Sequence, residues 1–249
     1  KWPALSALYA VNRLLDYGIQ FTKRIRFIFG TDEETLWRCM NRYNQMEEQA
    51  ELGFAPDSSF PLTYAEKGLL QVKLHGPGWD DLPLQAGQAL NVVPDKATYA
   101  GHRLEELLPV LDQSGVQYSQ TENSVTVMGV SKHSKDAAEG VNAIVGLAES
   151  LSLIQPHPAL LFIADAVGED ATGAALFGEI KDEPSGDLSF NLATLVIDQE
   201  QSEIGIDIRI PVLADKEALV ARLQEIAASY QLEYEAFDYL APLYVPLDS

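Results

Sequence analysis

The chain has 249 residues with 17 Lys and Arg against 37 Asp and Glu, a formal net charge of −20. A strongly acidic surface argues against nucleic acid and anionic membranes as partners. Hydrophobic residues make up 47 %, enough for a packed core, and the single cysteine excludes an internal disulfide framework and fits a reducing cytoplasm.

The first part of the chain shows the pattern of an α/β sheet. Ala4, Leu8, Val11 and Leu15 repeat at helical spacing and predict a helix over 4–16. An apolar run predicts a buried strand over 24–29, and a second helix is predicted over 33–47. The order helix, strand, helix indicates a piece of an α/β layer.

From about residue 60 the pattern changes to α+β. Strands are predicted over 68–76, in two short runs within 116–129, over 187–199 and 203–212, and over 232–239; helices are predicted over 102–115, 139–153 and 215–229. The short joins between strands favour hairpins and an antiparallel sheet. A βαββ-like pattern occurs around 68–153 and again around 174–240, which suggests two halves.

Three adjacent acids follow the predicted strand in "GTDEET". One interpretation is a capping box, with Thr31 at the N-cap and Glu34 three residues later. The other is a ligand site at the sheet edge, where one carboxylate binds a metal and its neighbour acts on metal-bound water. The stretch alone leaves both open.

A second motif lies downstream. "GTDEET" is followed by "LGFAPDSSFP", which places Asp57 shortly after Glu34. Together they resemble the di-zinc aminoacylase and glutamate-carboxypeptidase superfamily, and more narrowly the dipeptidases of the peptidase V type. "PALSALYA", "ALNVVPDKA", "EGVNA", "DIRIPV" and the final "PLYVP" agree, so the resemblance covers nearly the whole chain. Trp2 stands where the family has Gly.

The resemblance implies a role for each matching residue. Glu33 would be the general base, Glu34 a ligand of one zinc and Asp57 a ligand of the other. His133 matches the histidine that the family directs at the oxyanion, although its flanking residues depart from the family pattern; a solvated loop histidine is the alternative.

Two further residues match positions that bind the substrate carboxylate, Asn91 and Arg209. Arg209 alternates with isoleucines along its strand, so it faces away from the apolar side. A salt bridge with Asp207 on the same face is the alternative. His75, His102 and His157 match no motif and are expected at the surface or in loops.

The family has five metal ligands, and this chain matches two of them. A His and a bridging Asp would precede Lys1, and another His would follow Ser249. We therefore expect a fragment of a dipeptidase: a partial catalytic domain over 1–60, a complete lid domain over 61–241, and a return into the catalytic domain over 242–249.

The expected function is metal-dependent hydrolysis of dipeptides by a cytoplasmic, monomeric parent with two zinc ions. The fragment itself is expected to be inactive and to lack zinc. No nucleic acid or membrane partner is expected. Two alternatives stay open: an N-acyl amino acid deacylase of the same superfamily, and a non-catalytic peptide-binding or oligomerisation module.

Overall fold

The computed structural model describes residues 2–31, 37–56, 58 and 62–247. The chain divides into two compact units, Lys1–Thr63 and Tyr64–Ser249. The predicted boundary near residue 60 lies close to this division, whereas the predicted return segment 242–249 is grouped with the second unit. In the described part of the chain, no helix has both the length and the apolarity needed to cross a membrane.

The described residues of the first unit form two helices, α1 (Trp2–Asp16) and α2 (Arg38–Met46). Both lie where helices were predicted, although Trp37 and Glu47, at the ends of the described part of the second prediction, are not helical. Arg26 Nη1 donates to the Tyr43 hydroxyl of α2, which holds the intervening segment against that helix.

The strand predicted over 24–29 is wrong. These residues have no β-structure, although they are apolar and β-branched in part. A strand exists only when its N–H and C=O groups pair with a neighbouring strand. The described residues of the first unit include no second strand, so this segment is held by side-chain contacts such as that between Arg24 and Glu48.

The second unit alternates strands and helices. Its strands are β1 (Ala65–Glu66), β2 (Gly68–Pro77), β3 (Leu84–Ala86), β4 (Lys96–Tyr99), β5 (Tyr118–Gln120), β6 (Val125–Met128), β7 (Lys181–Asp182), β8 (Gly186–Asp187), β9 (Ser189–Ile197), β10 (Gln201–Ile210), β11 (Glu233–Leu240) and β12 (Leu243–Tyr244). Its helices are α3 (Leu104–Ser114), α4 (Ala143–Ser152), α5 (Pro158–Leu161), α6 (Ala174–Phe177) and α7 (Lys216–Ser229), with a 3₁₀ turn at Ser134–Glu139 and a π turn at Phe162–Val167.

A five-stranded antiparallel sheet forms the centre of this unit, in the order β11-β2-β10-β9-β3. The predicted hairpin is present as β9 and β10. Asp198 Oδ1 closes its turn by accepting from the backbone N–H groups of Glu200 and Gln201 at 2.8 and 2.9 Å. The mixed α/β composition and the antiparallel pairing predicted from the sequence are confirmed.

A smaller sheet has the order β4-β6-β5. With α3 between β4 and β5, this segment runs in the order β-α-β-β, whereas β9 to β11 run in the order β-β-α-β. The first strand of the predicted first half, β2, lies between strands of the second half. A lid made of two equivalent halves therefore stays a prediction.

The core lies on one face of the large sheet. Leu70, Val72 and Leu74 of β2 and the alternating isoleucines of β10 are buried there with residues of α4 and α5. The opposite face carries polar side chains. Gln71 is paired with Asp207 across β2 and β10, and Arg209 lies on the same face two residues further along β10. This polar face positions the candidate site.

His157 was expected at the surface or in a loop, and it lies in the connection before α5 but not at the surface. It is 1 % exposed and begins α5 as the N-cap residue, with Nδ1 accepting from the Ala159 N–H at 3.2 Å. Its Nε2 donates to the Pro77 carbonyl at 3.0 Å. Each ring nitrogen has a backbone hydrogen-bond partner, so the imidazole is buried without an unsatisfied polar atom.

Candidate functional site

Arg209 forms a two-point ion pair with Asp207. Arg209 Nε donates to Asp207 Oδ1 at 2.8 Å, and Nη2 donates to Asp207 Oδ2 at 3.2 Å. The Asp207 side chain is fully buried, and that of Arg209 is 20 % exposed. The salt bridge that the sequence left as an alternative is therefore present. Among the described residues, Arg209 Nη1 has no hydrogen-bond partner, so one end of the guanidinium stays available.

The Asp207 carboxylate accepts a third hydrogen bond, from Gln71. Gln71, its neighbour across the β2–β10 ladder, donates from Nε2 to Asp207 Oδ2 at 2.9 Å. A buried carboxylate is tolerated when it is paired and hydrogen-bonded, and Asp207 meets both conditions. Arg209 is therefore anchored to the middle of the sheet.

Ser134 lies between the three residues matched to substrate binding and oxyanion stabilisation. Arg209 Nη2 donates to Ser134 Oγ at 3.1 Å, and the Ser134 N–H donates to the Asn91 carbonyl oxygen at 2.9 Å. His133 precedes Ser134 directly in the chain. Ser134 is fully buried, and its carbonyl oxygen accepts from Ser189 Oγ. The structure thus brings Asn91, His133 and Arg209 together from three separate segments.

The segment that carries Asn91 is fixed by hydrogen bonds from strand β9 and by a bridge to His133. Asn191 of β9 donates from Nδ2 to the carbonyl oxygens of Leu90 and Val92, both at 3.0 Å. Val92 forms an isolated antiparallel bridge with His133. The Asn91 side chain is exposed, and no described residue forms a hydrogen bond with it. Its amide therefore stays available to a ligand.

His133 caps the 3₁₀ turn, and this contact selects its tautomer. Nδ1 accepts from the Lys135 N–H at 3.2 Å, so that nitrogen carries a lone pair and the neutral ring carries its proton on Nε2. Partial burial of the ring lowers the pKa of His133, and the positive charges of Arg209 and Lys135 lower it further. At neutral pH the exposed edge of His133 is therefore a neutral N–H donor.

The three residues matched to zinc chemistry, Glu33, Glu34 and Asp57, lie outside the described residues. In the part of the chain that the structure does describe, no three His, Cys, Asp or Glu side chains come together as a metal site. The donor set of the described residues therefore does not amount to a zinc centre.

Sequence reasoning missed the residues that hold the candidate site together. Ser134, Gln71 and Asn191 carry no motif, and their roles follow from strand register and burial. Asp207 did leave a signal, because it lies two residues before Arg209 on the same face of a strand. Its full burial was not visible from that spacing.

Comparisons with known proteins support the resemblance. No family model matches the chain. "Putative dipeptidase YtjP" of Bacillus subtilis (strain 168) is 34 % identical over 242 residues, which cover 88 % of this chain and 52 % of that protein. "Putative dipeptidase MW1694" of Staphylococcus aureus (strain MW2) is 31 % identical over 98 % of this chain and 58 % of that protein.

A solved structure also matches, the aminoacylhistidine dipeptidase from Vibrio alginolyticus. It has a TM-score of 0.37 and 10 % identity over 75 % of this chain and 46 % of that chain, too low a likeness to bear on the site. The chain spans a little over half the length of the curated relatives it matches. The resemblance to dipeptidases stated from the motifs is confirmed by these relatives, both of which are named putative dipeptidases.

Proposed function

We propose that the full-length product of this gene is a zinc-dependent dipeptidase acting on short peptides with a free carboxylate. The observation that supports this most is the meeting of Asn91, His133 and Arg209 around Ser134. The resemblance assigns ligand-contacting roles to these same three residues. Each keeps a polar group free of described partners: the Asn91 amide, His133 Nε2 and Arg209 Nη1.

His133 would act as a hydrogen-bond donor to the oxyanion that develops on the scissile carbonyl. Its Nε2–H is set by the contact from Lys135 to Nδ1, and its lowered pKa favours the neutral ring. A donor aimed at developing charge is worth about 10²–10³ in rate in comparable sites. His133 needs no proton uptake to perform this role.

Arg209 and Asn91 would bind the free carboxylate of the substrate. Because Asp207 occupies the Nε and Nη2 edge of Arg209, the carboxylate would meet the end that carries Nη1. Charge-assisted hydrogen bonds to a carboxylate are among the stronger ones in proteins. They would set the register of the scissile bond relative to His133.

The resemblance supplies the remaining roles. Glu33 would accept a proton as general base, and Glu34 and Asp57 would each give one carboxylate to a zinc ion. Zinc, when bound, polarises a carbonyl and lowers the pKa of water. Because it matches only two of the five ligands, this chain alone is proposed to be inactive. The same proposal holds that the full-length product is cytoplasmic and monomeric. Light scattering tests the monomeric state.

The test compares three substrates with the purified full-length product: glycyl-leucine, its C-terminal amide and N-acetyl-leucine. We expect rapid hydrolysis of glycyl-leucine alone, loss with a chelator and recovery with zinc. Hydrolysis of N-acetyl-leucine in preference to the dipeptide would replace the proposal with the deacylase. Binding of the dipeptide without turnover in zinc-loaded protein would favour the non-catalytic module.

A further inference from the structure

We infer that Asp207 is a positioning residue that sets which end of Arg209 meets the substrate and couples Arg209 to the turn of His133. This inference rests on the proposed function, because it concerns the same carboxylate site. It assigns a task to Asp207, which the resemblance gives no role, and to Gln71 and Ser134, which lie in no motif that carries a role.

The first step is the two-point contact. A planar guanidinium that uses Nε and Nη2 on one carboxylate has its plane and its direction fixed. Asp207 is itself fixed, since it lies fully buried on a central strand and accepts from Gln71. Arg209 can therefore present only its Nη1 end, and no rotation about the last side-chain bonds is possible without breaking the pair.

The second step is the bond to Ser134. Arg209 Nη2 donates to Ser134 Oγ as well as to Asp207, and the N–H of Ser134 is bound to the Asn91 carbonyl. Displacing Arg209 therefore disturbs the first residue of the turn that His133 caps. The buried carboxylate thus orients the carboxylate-binding group and, through Ser134, the segment of the oxyanion donor.

The experiment uses Asp207→Asn in the full-length product, which keeps the shape of the side chain and removes its charge. We expect KM for glycyl-leucine to rise about tenfold or more, the size of one charge-assisted contact, with kcat changed far less. The preference for glycyl-leucine over its C-terminal amide should fall by a similar factor. The matched control is Glu203→Gln on the same face of β10, which pairs with Lys73 and not with Arg209.

Loss of a buried charge partner can unfold a protein. Ser134→Ala and Gln71→Met are therefore measured as milder variants, each removing one contact of the network. We expect them to raise KM for glycyl-leucine about threefold to tenfold, in keeping with the loss of one hydrogen bond. Unchanged KM in both, with normal folding, would overturn the inference.

Arg209→Lys separates this inference from the proposed function. If Arg209→Lys raises KM and a folded Asp207→Asn variant does not, Asp207 is structural only and the inference fails. If neither variant alters KM or the preference for the free carboxylate, the proposed carboxylate site itself fails.

Discussion

His157 Nε2 lies 3.0 Å from the Pro77 carbonyl oxygen, so a buried imidazole joins the end of β2 to the start of α5. Burial lowers the pKa of His157, and the hydrogen bond to Pro77 only partly opposes that effect. The ring is therefore neutral in the folded protein over a wider pH range than in the unfolded chain.

This relationship predicts that the free energy of unfolding falls as pH drops below about 6.5, the ordinary histidine pKa. There the unfolded chain takes up a proton that the native state does not, and the loss continues down to the lower native pKa. His157→Asn keeps an N-cap acceptor and should flatten the slope between pH 7 and 5 in urea unfolding. His102→Asn, at an exposed histidine, is the control, and an equal flattening there would contradict the prediction.

Substitutions of His133 and Arg209 should affect different steady-state constants of the full-length product, kcat for His133 and KM for Arg209. His133→Ala should lower kcat about 10²–10³-fold with little change in KM, because it removes a contact made mainly in the transition state. Arg209→Lys keeps a charge beside Asp207 and loses the planar fork, so KM should rise about tenfold. His102→Ala is the control. A fall in kcat for Arg209→Lys with unchanged KM would refute the assigned roles.

Zinc binding by this chain alone should be weak. Of the five ligands that the resemblance implies, this chain matches Glu34 and Asp57, and two carboxylates alone are a poor donor set for zinc. Titration calorimetry of chelator-treated protein should show no stoichiometric binding tighter than roughly micromolar, far weaker than structural zinc sites. A tight complex with one or two zinc ions would rule out this expectation.

Asn142 is expected to matter for stability through two contacts. Its Oδ1 accepts from the Ile144 N–H at 3.0 Å as the N-cap of α4, and its Nδ2 donates to the Leu192 carbonyl at 2.6 Å. Asn142→Ala should lower the free energy of unfolding by about 0.5–2 kcal/mol through the cap alone. Asn142→Ser keeps a cap acceptor without facing the Leu192 carbonyl with a second acceptor, and it should lose less; equal losses in both would assign the effect to the Leu192 contact.

Alternation and turn residues sufficed to predict the β9–β10 hairpin and the face on which Arg209 lies. They work there because each strand has one buried face, which ties residue type to direction. The same cues failed at 24–29, since strand formation depends on a partner that local sequence does not supply. Helix α4 begins later than predicted because Asn142 caps it.

In the candidate site, too, some residues could be predicted from the sequence and others could not. Motif position brought out Asn91, His133 and Arg209, which the structure holds around Ser134. Ser134 and Gln71 were not predictable, because their contacts depend on strand register and on a turn from a distant segment. His157 lies in a connection, one of the two places expected for it, but its burial was not predictable because it depends on the backbone partners of both ring nitrogens.

The central place of β10 has a consequence for local opening. Arg209 lies on a strand paired along its length with β2 on one side and β9 on the other. Amide protons near Asp207 and Arg209 should therefore exchange with solvent only when the whole unit unfolds, whereas those near Asn91 and His133, in short connections, can exchange through small openings. A ligand at this face would therefore meet Arg209 in a fixed position, and Asn91 and His133 on segments that can adjust to it.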